Sequence, residues 1–197
     1  MAITSYSTLK TAIAAWAHRS DLTDVIDDFI DIAESNLNRE LRVSQQETST
    51  DLDVSTGSVD LPADCAAIRN IKLLTSPVME LVYVTPAEMD RLADNSTDVL
   101  RYTILADKIV LNAASSTNIR VIYYAKLTAL SDSNTSNWLL ETHAEAYLYG
   151  ALAEVFKYSM DDEQAAKYAG MFNESIAGIK RLDSYRKSGQ SMFVRVA

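Results

Sequence analysis

His143 and Glu145 form an H-x-E pair, HAE at 143–145, with Tyr147 and Tyr149 close behind. Zinc deaminases use a histidine and a carboxylate at this spacing to hold a metal and move a proton, but they complete the site with a P-C-x-x-C half. That half is missing: Cys65 is the only cysteine, so neither a cysteine-based zinc site nor an intrachain disulfide is available. Cys65 itself reads as a small apolar residue near a turn. The paired Glu-x-x-His motifs of a di-iron bundle are absent, as are G-x-G-x-x-G, the P-loop and G-x-S-x-G. The other histidine, His18, falls at the end of a helical pattern, where a cationic side chain suits the dipole. Asp21, Asp24, Asp27, Asp28 and Asp31 lack the glycine and glutamate that a calcium loop requires, and helical periodicity runs through them. They read as a solvated acidic face. No catalytic residue, metal ligand or cofactor is expected, and the reading of an enzyme has no positive support.

The elements that carry these residues are helical at both ends of the chain and sheet-like in the middle. Leu9, Ile13, Trp16 and Ala17 recur at helical spacing after the cap candidates Thr4 and Ser5. Ile26, Phe29, Ile30, Ala33, Leu37 and Leu41 form the stripe of a second helix, for which Thr23 is the expected N-cap. From about residue 45, seven short β-rich runs follow, ETSTDLDV, SVDLP, AIRNIKLL, VMELVYV, RYTIL, KIVLNA and NIRVIYYAK. TPAE at 85–88 predicts one short helix among them, with Thr85 as cap, Pro86 at the first position and Glu88 closing a capping box. Ala106-Asp107 marks a turn.

Helix returns over roughly 137–158, capped by Asn137 or Ser136, with Leu140, Ala144, Tyr147, Leu148, Ala151 and Val155 on one face. Gly150 in that helix implies a close helix approach, since glycine there is otherwise a loss. Trp138 reads as pinning the joint between insert and bundle. A last helix carries Ala165, Tyr168, Ala169, Phe172, Ile176 and Ile179 and runs to about residue 186. The expected fold class is α+β. Residues 1–44 and 132–187 form a four-helix bundle-like domain, 45–131 an inserted small antiparallel β domain with one short helix, and 188–197 an extended C-terminal arm. Within that frame His143 and Tyr149 lie off the main apolar stripe and face solvent or a neighbouring subunit.

The formal net charge is −9, which disfavours general binding of duplex nucleic acid. Yet residues 180–197 hold Lys180, Arg181, Arg186, Lys187 and Arg195 against Asp183 alone. One reading is stabilisation of the last helix's C-terminus. The other is a docking arm: SMFVRVA alternates like a strand that adds to a partner's sheet edge. The most apolar segment, AYLYGALAEVF, is much shorter than a bilayer span, so no membrane is expected as a partner. No basic-then-apolar N-terminal stretch occurs, so no signal peptide is expected either.

Three stretches together carry a resemblance. YSTLKTAIAAWAHRSDLTDVIDDFIDIAESNLNRELR at 6–42 has the form W-x-x-R-x-D-L, then F-I-x-x-A-E-x-x-L-N-R-x-L-R. VDLPADCAAIRNIKL at 59–73 has LPAD followed by an R-x-I strand, with Cys65 where an aromatic or aliphatic residue is more usual. YYAKLTALSDSNTSNWLLETHAEAYLYGALAEVFKYSMDD at 123–162 has Y-Y-A, L-S-D, N-W-L-L and Y-L-Y-G-A-L in order. In these features the chain resembles the head-to-tail adaptor (connector, or neck) proteins of tailed bacteriophages.

The resemblance implies a structural virion protein made in the host cytoplasm and placed in the neck between capsid and tail. It implies a homo-oligomeric ring of roughly twelve copies beneath the portal protein. That ring extends the DNA channel without binding DNA specifically, and gives a platform for a downstream tail or nozzle protein. The portal-docking arm then falls on Met192, Phe193, Val194, Arg195 and Val196, and a subunit interface on His143, Tyr149, Arg186 and Lys187. The alternatives are a DNA-binding or regulatory helical protein using the basic C-terminal helix, and, last, a small-molecule enzyme.

Overall fold

A computed structural model of the chain describes residues 2–54, 57–92, 101–112 and 117–188. The fold is α+β. In chain order the helices are α1 (Tyr6–Ala17), α2 (Ile26–Glu40), α3 (Pro86–Met89), α4 (Trp138–Thr142), α5 (Ala144–Tyr158) and α6 (Asp162–Lys187). The strands are β1 (Glu47–Val54), β2 (Ser58–Asp60), β3 (Cys65–Leu73), β4 (Met79–Glu80), β5 (Val82–Tyr83), β6 (Arg101–Leu105), β7 (Lys108–Leu111) and β8 (Thr117–Ala125). Two compact units result, Met1–Ser44 with Leu127–Ala197, and Gln45–Lys126. The second crossing falls at 126–127 rather than 131–132, because Leu127 and Leu130 are buried in the helical core.

In the helical unit α5 packs against α1, α2 and α6. The α2 stripe Ile26, Phe29, Ile30, Ala33, Leu37 and Leu41 is buried throughout. Each large side chain removed from water in this way contributes roughly 1.5–3 kcal/mol. Ser5 caps α1 in a capping box with Thr8, while Trp16, expected on the α1 core face, is 46% exposed. Thr23 does not cap α2. The helix starts two residues later, from Val25, without a side-chain cap, and the Thr23 hydroxyl donates to Ser20 O instead.

Asn137 is the cap of α4, its Oδ1 accepting from Leu140 N at 3.0 Å. The single helix expected over 137–158 is broken at His143, whose φ of −143° and ψ of 53° leave the helical region. The apolar face still continues, with Leu140, Tyr147, Leu148, Ala151 and Val155 all buried. Trp138 is half-buried against the same helical core.

Gly150 sits where α2 and α6 both close on α5. A Cβ there would lie 3.0 Å from Ala33 Cβ and 3.0 Å from the Phe172 ring. Gly150→Ala is therefore expected to destabilise the fold by about 1–2 kcal/mol, since overpacking outweighs the gain in helix propensity. Thermal unfolding of the variant checks this, and a rise in midpoint would contradict it.

The β unit holds two four-stranded sheets, ordered β1-β8-β3-β4 and β2-β7-β6-β5. Their inner faces share one core: Val54, Ile71, Ile119 and Val121 from the first meet Tyr102, Ile109 and Leu111 from the second. Register is reinforced where Asp51 lies opposite Arg120, the two joined by bonds of 2.7 and 2.9 Å.

Among the described residues there are eight strands rather than the expected seven, because VMELVYV changes sheets at its centre. Leu81 N donates to Ile71 O of β3, whereas Val84 N donates to Tyr102 O of β6, each at 2.9 Å. The pairing is not wholly antiparallel either, since β5 runs parallel to β6. Thr85 caps α3 through Glu88 N. The Glu88 carboxylate stands 3.5 Å from Arg101 Nη1.

Candidate functional site

The break at His143 turns two of the expected interface residues into a groove. His143 and Tyr149 from the α4–α5 side face Met171, Glu174, Gly178 and Leu182 of α6 across a volume of about 320 Å³. The His143 ring, itself mostly covered, places Nδ1 3.2 Å from Glu145 Oε1. Tyr149 is half-buried and continues an aromatic row from α1 to α6. Its ring lies 6.2 Å from that of Trp16 and 6.4 Å from that of Tyr168, which stacks on Phe156 at 5.3 Å.

The floor of the groove is low because Gly178 has no side chain, and a Cβ there would meet nothing within 4 Å. Leu182 and Tyr185 stay exposed further along α6. Glu145 and Glu174 stand on the two walls. The arrangement suits contact with an apolar segment bearing a cation. Among the described residues no group of three or more His, Cys, Asp or Glu side chains is placed to hold a metal ion. Nor is any of their helices long and apolar enough to cross a membrane.

Arg186 and Lys187 lie away from His143 and Tyr149, on the last turn of α6. Lys187 Nζ is held 2.8 Å from Asp183 Oδ2, while Arg186 is exposed. Asp183 is 8% exposed, and its Oδ1 accepts from both Ser44 N, at 2.8 Å, and Ser44 Oγ. Burial alone raises the Asp183 pKa, but the bonds from Lys187 and Ser44 outweigh it and leave the carboxyl below its usual range. The expected arm residues Met192, Phe193, Val194, Arg195 and Val196 lie outside the described residues.

This clamp makes a pH-dependent contribution whose sign follows from the lowered value. It is present above the unfolded carboxyl pKa, near 4, and is lost as pH falls through the folded one. Asp183→Asn is expected to cost about 1–3 kcal/mol at neutral pH. The difference from the unaltered chain should shrink on acidification, and urea melts at several pH values read it directly.

The interior of the helical unit holds a second polar cluster that sequence reasoning missed. Glu34, 5% exposed, accepts at Oε1 from Tyr147 Oη at 2.8 Å and from Leu130 N at 3.0 Å. Asn137 Nδ2 donates to Tyr147 Oη at 2.8 Å and to Thr128 O at 2.9 Å. Burial, then the neighbouring Glu34 charge, raises the Tyr147 pKa. Burial also raises that of Glu34, against the opposing bonds from Tyr147 and Leu130. The cluster ties α2, the 127–137 connection and α5 together. Its signal lies in the α2 stripe, where Glu34 stands four residues after Ile30 and three before Leu37.

With both units and this surface in view, comparison with known families is decisive. Residues 4–195 match the SU10 adaptor protein family. The chain therefore belongs to that family, which is one of phage head-to-tail adaptors and so of structural virion proteins. Membership implies assembly with portal and tail proteins at the neck of the virion. No individually curated protein matches the chain.

Proposed function

We infer that the protein is the subunit of a closed ring of roughly twelve copies that docks beneath the portal. The ring extends the DNA channel and offers the platform on which a tail or nozzle protein assembles. Its role is mechanical rather than catalytic. The observation that carries this reading is the family match, which spans both units and runs on to residue 195, into the arm. In this reading α1, α2, α5 and α6 serve as a four-helix bundle-like scaffold, residues 45–126 as an inserted domain, and 188–197 as the arm that engages the portal.

Met192, Phe193, Val194, Arg195 and Val196 are the contacts on the portal side. His143 and Tyr149, at the groove, and Arg186 and Lys187, at the end of α6, meet the neighbouring copy. A ring requires a heterologous contact, two different patches on each copy, and patches of opposite charge set its register. The net charge of −9 supports a channel wall past which DNA slides without sticking. Size-exclusion chromatography tests the reading: the chain alone should elute as a monomer and co-elute with portal at a much larger size. A chain that stays monomeric with its portal present would overturn it.

A further inference from the structure

We propose that one copy joins the next through the two ends of α6. Tyr158 and Met160 of one copy pack on Leu182 and Tyr185 of the next, with Asp162 and Glu163 facing Arg181 and Arg186. The first support is the turn between α5 and α6. Met160 has a φ of 57°, a left-handed conformation that glycine adopts at the end of a helix without strain. A methionine stands there instead, and it is 89% exposed. Tyr158 is exposed beside it, its ring 5.5 Å from that of Phe29. Packing among the described residues gives no reason for a strained backbone that holds an apolar side chain in solvent.

The second support lies at the other end of α6. Arg181, Leu182, Tyr185 and Arg186 are all exposed, and their i, i+1, i+4, i+5 spacing puts them on one face. Tyrosine, arginine and methionine are side chains that interfaces favour. Asp162 and Arg186 are 24 positions apart on a single helix, about 36 Å, so the two patches cannot meet within one copy.

Charge identifies the occupant. Lys180 and Lys187 are taken up by Glu40 and Asp183, whereas Arg181 and Arg186 have no ion-pair partner among the described residues. Asp162 and Glu163 have none either, and the cations Arg19 and Lys157 are already held by Asp21 and Glu154. One patch is apolar and acidic and the other apolar and basic, so each is the complement of the other. Helix dipoles explain acids at the start of α6 and bases at its end. They do not explain the apolar side chains exposed beside both.

A contact of this kind is heterologous, and repeated copies close into a ring where the rotation between them allows it. It deepens the ring reading and rests on it. Exposed ion pairs hold weakly by themselves. That fits a chain expected to stay single until the portal gathers copies side by side.

Charge reversal with rescue tests the contact in the full chain, read as the fraction of portals that carry a closed ring in negative stain. Arg181→Glu with Arg186→Glu should cut that fraction at least about tenfold. Asp162→Lys with Glu163→Lys should do the same. A chain carrying all four substitutions should close rings again, because each reversed patch meets its reversed complement. Met160→Gly should lower closure severalfold while raising the thermal unfolding midpoint, since the strain goes with the side chain. Closure at the unaltered level in either double variant, or no recovery with all four, would overturn the proposal.

Should a reversed patch fail to fold, Met160→Gly alone decides, and closure at the unaltered level sinks the contact. Portal binding is measured separately by co-elution. Bare portals with the unaltered chain would remove the docking reading and this contact with it. Closed rings whatever the charge would leave docking standing and remove only the contact.

Discussion

Glu34→Ala is expected to lower the unfolding free energy by about 2–5 kcal/mol, the largest loss for a single residue outside the apolar core. The substitution leaves two buried donors, Tyr147 Oη and Leu130 N, without their acceptor. Each buried donor left unpaired costs about 1–3 kcal/mol. The Asn137 cap is weakened too, because its Nδ2 bonds the same tyrosine hydroxyl. Denaturant unfolding should show a large fall in midpoint with the slope unchanged. Glu34→Gln keeps an acceptor oxygen at the same place and should lose far less. Equal losses for the two variants would mean that side-chain volume, not hydrogen bonding, sets the role of Glu34.

The same pair of proteins carries a pH signature opposite to that of Asp183. Burial raises the Glu34 pKa in the folded state. Its contribution is then complete below the unfolded glutamate value, near 4, and is lost as pH rises through the folded one. Relative to Glu34→Gln, the unaltered chain should be most stable in mild acid and lose ground toward neutrality. The two carboxylates thus pull in opposite directions on acidification, and each is separable by its own amide variant.

Removing residues 189–197 is expected to abolish portal binding while leaving both units folded. The last described helix ends at Lys187 with its own anchor, since Lys187 and Asp183 are paired and Asp183 is tied to Ser44. Ser44, Asp183 and Lys187 themselves all lie outside the deleted segment. The expected loss in affinity is at least about 100-fold, or about 2.7 kcal/mol. Unaltered thermal unfolding would show that the fold survives. A truncated chain that still bound portal at full affinity would place the contact elsewhere.

The helical unit was the more legible part of the sequence because its information is periodic. The stripe of α2 and the face of α5 from Tyr147 to Val155 are buried as their spacing dictates. Gly150 announced a close approach, and Ala33 and Phe172 supply it. The break at His143 was hidden for a physical reason. Leu140 and Tyr147 both reach the core, so the apolar pattern runs across a backbone that has left the helix.

Strand content was equally plain in the β unit, but pairing was not. VMELVYV reads as one strand, and only the hydrogen bonds of Leu81 and Val84 reveal that its halves serve different sheets. The candidate surface was half legible. His143 and Tyr149 stood out by type, but the groove they share with α6 depends on tertiary packing and on the open space at Gly178. The roles of Glu34 and Asp183 are not readable from their neighbours, because their partners lie 113 and 139 positions away in the chain.

The central claim is that copies of this chain close into a ring on the portal. Negative-stain imaging of the protein mixed with its portal tests it most directly. The expected result is a portal lengthened at one end by a closed ring, with a channel continuous through both. Portal particles left bare, or carrying isolated copies that never close, would contradict the account.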